Sequence, residues 1–182
     1  MIAVHRNAAE LAVEIVNATR DGELDRAWAS ALSEREVLPV RHGPRAADPG
    51  GEALRRSLTV LAADLAPVFG AGELGTAAAR LNDLLATLDL QVSVSVGRSW
   101  PPHLHFDAYG GTLGERIRVN CLTAIAALLA DPSSALRIGE CAAPSCDHVY
   151  ADCSRSARQR FCSRRCATRS HVSEHRRRVA AG

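Results

Sequence analysis

Five of the six cysteines fall in the last 42 residues, and their spacing is the first sign of chemistry. Cys141 and Cys146 are separated by four residues, Cys162 and Cys166 by three, and fifteen residues lie between the pairs. Two close pairs one hairpin apart can bring four thiolates to a tetrahedral Zn²⁺. Pro144 and the small residues of "CAAPSC" suit a tight loop for the first pair, and "HVYAD" reads as a short strand leaving it. From Cys162 onward, "CSRRCATRSHVSEHRRR" holds neither Gly nor Pro, so the second pair sits at the start of a helix. The free N–H groups and dipole of that helix end favour thiolate over thiol. A loop pair followed by a helix-start pair is the treble-clef arrangement, and four thiolates leave no open coordination position. The expectation is one structural zinc ion on Cys141, Cys146, Cys162 and Cys166.

The other uses of these cysteines fit less well. A Cys₂His₂ finger needs about twelve residues between its second Cys and first His. Here Cys166 to His171 leaves four and Cys146 to His171 leaves 24. Structural disulfides belong to oxidising compartments. The N-terminus, MIAVHRNAAELAVE, shows no basic region followed by an apolar run, so no signal peptide is evident. No apolar stretch approaches the ~20 residues of a spanning helix. A soluble, cytoplasmic protein with no membrane partner is expected. Cys121 and Cys153 then read as small buried hydrophobes.

Arginine is the second source of chemistry. Net charge is only +2, but residues 1–136 carry 12 Arg against 16 Asp and Glu, whereas residues 137–182 carry 10 Arg against 4 acids. An acidic body with a basic tail suggests an anionic partner for the tail. The candidates are Arg155, Arg158 and Arg160 before the helix, and Arg164, Arg165, Arg169, Arg176, Arg177 and Arg178 along it. At 100° per residue, Arg165, Arg169 and Arg176 lie within about 40° of one another, with Val172 beside them. These three would face phosphates or a groove, with Ala167 and Val172 left for packing. Phosphate neutralisation gives sequence-independent affinity, and a helix in the major groove adds base readout. Double-stranded DNA is therefore the expected partner, and a zinc-held protein-interaction module is the alternative.

A third cluster, His103, His105 and Asp107, shares one strand face by the period of two. It could hold a metal or move a proton, but polar residues at alternate positions also describe the solvent face of any hairpin, which is the reading adopted. The sequence shows no nucleophile elbow, phosphate loop or histidine–glutamate zinc helix, so no enzymatic activity is expected.

The elements that must position these residues can be read from periodicity. Residues 7–20 place Leu11, Ile15 and Val16 on one helical face, with Asn7 as a cap, and a short helix is expected over Leu24–Ser33. "LPVRHGPRAADPGG" reads as a loop. Leu54, Leu58, Leu61, Leu65 and Val68 mark a helix from Glu52 to Phe69 that stops near Gly70. Another runs from about Thr76 to Thr87, with Leu81, Leu84 and Leu85 inward. "QVSVSV" and "HLHFDAY" alternate with period two, which predicts an antiparallel hairpin over about 90–109 with its valines half-buried. Thr112 and Glu115 then form a capping box before a helix that ends near Ala130.

"CAAPSCDHVYADCSRSARQRFCSRRCATRSHVSEHRRR" resembles the CGNR-type zinc finger of bacterial proteins. There, a C-x4-C pair precedes a hydrophobic–Asp–Thr–Ser–Arg segment, an aromatic–Cys pair and a basic helix. Tyr150-Ala151-Asp152-Cys153-Ser154-Arg155 occupies the middle segment, with Cys153 in place of Thr, and Phe161-Cys162 supplies the aromatic–Cys. Cys166-Ala167-Thr168-Arg169 stands where Cys-Gly-Asn-Arg is typical, keeping the first and last residues. "ELAVEIVNAT" is similar to the opening of the domain usually fused to this finger, described as a stress-induced transcription regulator.

The expectation is an α+β, mainly helical protein with a helical domain over 1–134 and a treble-clef-like zinc finger over 135–182. The resemblance implies a bacterial DNA-binding transcription regulator of the stress response. Its first domain would sense a small ligand or mediate homodimerisation.

Overall fold

The computed structural model describes residues 3–25, 51–96, 102–108, 111–131 and 136–180. In chain order it contains α1 (Ala3–Arg20), α2 (Gly51–Phe69), α3 (Leu74–Leu85), β1 (Gln91–Ser95), β2 (His103–Asp107) and α4 (Leu113–Leu129). These are followed by β3 (Ile138–Glu140), β4 (Val149–Ala151) and α5 (Arg164–Ala180). The class is α+β and mainly helical. Most of the expected 24–33 helix and of the loop before Gly51 lies outside the described residues.

The core is aliphatic. Leu54, Leu58, Leu61, Leu65 and Val68 of α2 are all buried, each contributing about 1.5–3 kcal/mol relative to exposure. They meet Leu11, Ile15 and Val16 of α1 and Ile117, Leu122, Ile125 and Leu128 of α4 in one cluster. Alanines at 8, 9 and 12 of α1 let the neighbouring backbones approach. α1 begins at Ala3, so Asn7 lies inside it, exposed, and does not cap it. Of the leucines expected inward on α3, Leu81 is buried, and Leu84 and Leu85 pack half-buried against the core. α4 starts as predicted: Thr112 Oγ1 accepts the Glu115 N–H at 3.3 Å, and the Glu115 carboxylate accepts the Thr112 N–H at 2.7 Å. No helix among the described residues is long and apolar enough to cross a membrane.

The hairpin forms in the expected region, with Gln91 opposite Asp107 and Ser95 opposite His103. Its faces are the reverse of the expectation. Val92, Val94 and Val96 are 55–74% exposed, while Ser95 is buried and His103, His105 and Asp107 are half-buried. Arg116, on the first turns of α4 and buried, donates to Asp107 Oδ1 from Nε at 3.1 Å. A buried guanidinium needs a carboxylate. Once Asp107 turns inward to meet it, the period of two carries His103 and His105 to the same side and the valines out.

β3 and β4 pair antiparallel, Ile138 opposite Ala151 and Glu140 opposite Val149. Ile138 and Val149 are part of the same core as the helices. Asn17 of α1 pairs with the Val149 backbone in both directions: its Oδ1 accepts the N–H at 2.8 Å and its Nδ2 donates to the carbonyl at 3.1 Å. His148 Nε2 lies 2.8 Å from Asp21 Oδ1 just beyond α1. This second hairpin is thus seated on α1, with its turn carrying the first cysteine pair.

Candidate metal centre and basic surface

Cys141 follows β3 directly, and the chain turns back before β4. Ser145 takes φ 60°, the left-handed conformation, and the Cys146 N–H closes on the Ala143 carbonyl at 3.2 Å. The second pair is set by α5. Ser163, just before the helix, accepts the Cys166 N–H on its Oγ at 3.2 Å, the bond of an N-cap. The Ala142 N–H donates to the Arg160 carbonyl at 2.8 Å, tying the two halves together.

The four sulfurs lie within 4.8 Å of one another. Cys146, Cys162 and Cys166 form a triangle with all three sides 3.7 Å. Four thiolates about 2.3 Å from one tetrahedral centre stand about 3.8 Å apart, so this spacing fits Zn²⁺. It does not fit a disulfide, whose sulfurs are about 2.05 Å apart, and all six cysteines are free. The cluster has its own small core, with Ala143 buried and Phe161 packed on it. Burial raises the Cys146 and Cys162 thiols, the neighbouring cysteines adding to the Cys162 shift. The Ser163 hydrogen bond leads the causes that lower Cys166, to about 7. A cluster in which one thiol ionises readily and its neighbours resist is what a divalent cation would compensate.

Cys121 is fully buried in the helical core, and desolvation raises its thiol to about 12. Cys153 is half-buried against that core, its thiol raised mainly by burial. Neither belongs to the cluster.

The segment between β4 and α5 is held by two residues that the cysteine spacing does not reveal. Asp152 is 1% exposed. Its carboxylate accepts the Ser154 N–H on Oδ1 and the Gln159 N–H on Oδ2, both at 2.8 Å. Burial alone would raise its pKa, but these bonds and the nearby Arg137 charge hold it below the ordinary carboxylate value. Arg137, also buried, donates to the Ser154 carbonyl at 2.7 Å and to Asp131 Oδ1 at 3.1 Å. Two of the three partners of Arg137 among the described residues are backbone carbonyls, which residue types alone do not signal.

The predicted arginines divide by environment. Arg155, Arg158, Arg164, Arg165, Arg176 and Arg177 are exposed, and no hydrogen bond or ion pair forms at them among the described residues. Arg160 lies 5.9 Å over the Phe161 ring. Arg178 pairs with Glu174 one turn back. Arg169 reaches Cys166 Sγ from NH2 at 3.6 Å, so its charge faces the sulfur cluster. From His171 to Ala180 every residue of α5 is exposed. Val172, expected to pack, is 43% exposed: the His171 ring still meets Phe161 edge-on at 5.8 Å, but beyond it α5 is exposed throughout.

A search of curated proteins gives no match to this chain. Residues 137–179 match the family model of the CGNR zinc finger. The match covers both cysteine pairs, β3, β4 and nearly all of α5. The two positions kept from the naming tetrad, Cys166 and Arg169, are in contact with each other. With four cysteine sulfurs spaced to hold one zinc ion, the C-terminal part of this chain is a CGNR zinc finger.

Proposed function

We propose that the finger binds double-stranded DNA and that the protein is a bacterial, cytoplasmic transcription regulator, acting in the stress response and without chemistry of its own. The observation that carries this reading is the set of six exposed arginines without partners among the described residues, on the 155–160 segment and on a helix exposed along most of its length. Arginine is suited to bidentate phosphate or guanine contacts, and an exposed helix has the dimensions a major groove admits. Four thiolates fill a tetrahedral ion, which fits a structural site.

The test is a mobility shift of genomic fragments at two salt concentrations. Wild type should bind, and the double variant Arg165→Gln/Arg176→Gln should bind all fragments more weakly. Its salt dependence should flatten by about one unit of slope per lost phosphate contact. Equal affinity for both proteins removes α5 from the interface.

A second reading, a zinc-held protein-interaction module, is favoured by Val172 and Val179, both exposed on α5 among the arginines. It requires no DNA binding at moderate salt. For the helical body, the exposed face of Val92, Val94, Val96 and Leu104 supports homodimerisation. Val94→Lys should then shift the molecule toward monomer in size-exclusion chromatography with light scattering.

A further inference from the structure

A polar cleft of about 480 Å³ lies where the helical body meets the finger. Its walls come from three places: Arg6 of α1, Leu128 and Asp131 at the end of α4, and Arg137, Cys153 and Arg155 of the finger. The volume falls in the range of small-molecule sites. Three guanidiniums face it against one lining carboxylate, and that carboxylate, Asp131, is already bonded to Arg137.

The three arginines play different parts. Arg137 is buried, and its NH1 and NH2 are spent on Asp152, Ser154 and Asp131. Its Nε is buried with no hydrogen-bond partner among the described residues, an unsatisfied donor on a cationic group. Among the described residues Arg6 makes one hydrogen bond, Nη2 to the Cys153 carbonyl at 3.0 Å, which spans the junction. A guanidinium has five N–H donors, so most of those on Arg6 remain available. Arg155 is exposed with no partner among the described residues. Two other acids act on the cleft's Cys153: Asp152 is buried and bonded to backbone amides, and Glu10 is opposed there by Arg6.

The geometry points to this cleft as a binding site for a small oxyanion, a phosphate or carboxylate group, held by the free donors of Arg6 and Arg155, with Arg137 in the wall already paired to Asp131. Paired guanidiniums match such groups bidentately, and Leu128 supplies an apolar wall for the rest of a small metabolite. A bound anion would join α1 to the segment that carries Arg155, Arg158 and Arg160, so occupancy would fix that segment against the body. The site needs no DNA, and its test contains none, so it stands or falls separately from the DNA reading.

The experiment titrates inorganic phosphate, and in a second arm succinate, into the zinc-loaded full chain at constant ionic strength set with chloride. Thermal shift and ¹H–¹⁵N spectra are the readouts. Saturable binding of either anion is expected in wild type, weakened about tenfold or more in Arg6→Gln/Arg155→Gln and retained in Arg176→Gln/Arg177→Gln. Tighter phosphate binding assigns a phosphate group, and tighter succinate binding a carboxylate. Absence of saturable binding overturns the proposal, as does unchanged affinity in the cleft variant. Should that variant fail to fold, the wild-type spectra decide. Shifts centred on Arg6 and on Cys153 to Arg155 support the site, and shifts confined to α5 overturn it.

Discussion

A zinc ion held by four thiolates makes each of them indispensable, whereas a thiol outside the cluster is not. Cys162→Ser should abolish tight zinc binding and Cys153→Ser should leave one zinc per chain, measured by metal analysis of protein purified without chelator. Loss of zinc from Cys153→Ser would refute the ligand set. Asp152 makes a different prediction. Its folded pKa lies below the unfolded value near 3.9, so its contribution to stability is complete above that value and is lost as pH falls through the folded pKa. Asp152→Asn, which leaves one of the two part-buried backbone amides without its acceptor, should cost about 1–3 kcal/mol at neutral pH. Its stability should vary less than that of wild type below about pH 4, as read by denaturant unfolding at several pH values. The cysteines were legible because metal geometry forces a spacing on the chain. Asp152 could be matched to the motif, but what it holds could not be read, nor could Arg137, because most of their bonds go to backbone groups, and any residue presents those.

The helices could be located from the sequence because each buries one stripe, and α2 shows this most clearly, every one of its five marked positions being buried. What periodicity cannot convey is how closely two helices approach. A Cβ on Gly114 would stand 2.7 Å from Ser57 Cβ on α2, too close to be accommodated without a shift. Gly114→Ala should therefore destabilise the fold by about 1–3 kcal/mol. Combining it with Ser57→Gly should recover part of that loss in a double-mutant cycle. Strict additivity would show that the two helices do not meet there. The first hairpin marks the limit of pattern reading at this scale. "QVSVSV" announces a strand, but alternation alone does not say which face is inside. Arg116 on α4 decides it through Asp107, a partner nine residues earlier in sequence. Breaking a buried pair of this kind costs about 3–5 kcal/mol, the same order as burying two valines at about 1.5–3 kcal/mol each, so the ion pair competes with the apolar face for the inside position.

Across the whole molecule, charge and cysteine content both suggest a division near residue 135, with a body that folds alone and a tail that folds around zinc. The contacts between the two show strong coupling. Val149 and Ile138 lie in the helical core, Asn17 is bonded to both backbone groups of Val149, and Arg20 approaches Glu140 at 3.4 Å. A segment of this size has too small a core to hold its fold without the metal, so the turn joining β3 to β4 should loosen when zinc leaves. Because that hairpin sits on α1, the loss should reach the helix. Chelating zinc from the full chain should lower its melting temperature and speed amide exchange in the finger. It should also speed exchange in the last two turns of α1, around Asn17, while the centre of α2 keeps its protection. Hydrogen exchange followed by mass spectrometry, with and without chelator and again after zinc is restored, separates the possibilities. Exchange that changes only in residues 137–180 would mean that the finger melts as an independent unit, with its contacts to α1 contributing little. Exchange that rises uniformly through α2 would mean that zinc holds the entire fold. The expected result lies between these, a graded loss that follows the contacts from the cysteines through β4 to Asn17 and fades beyond it.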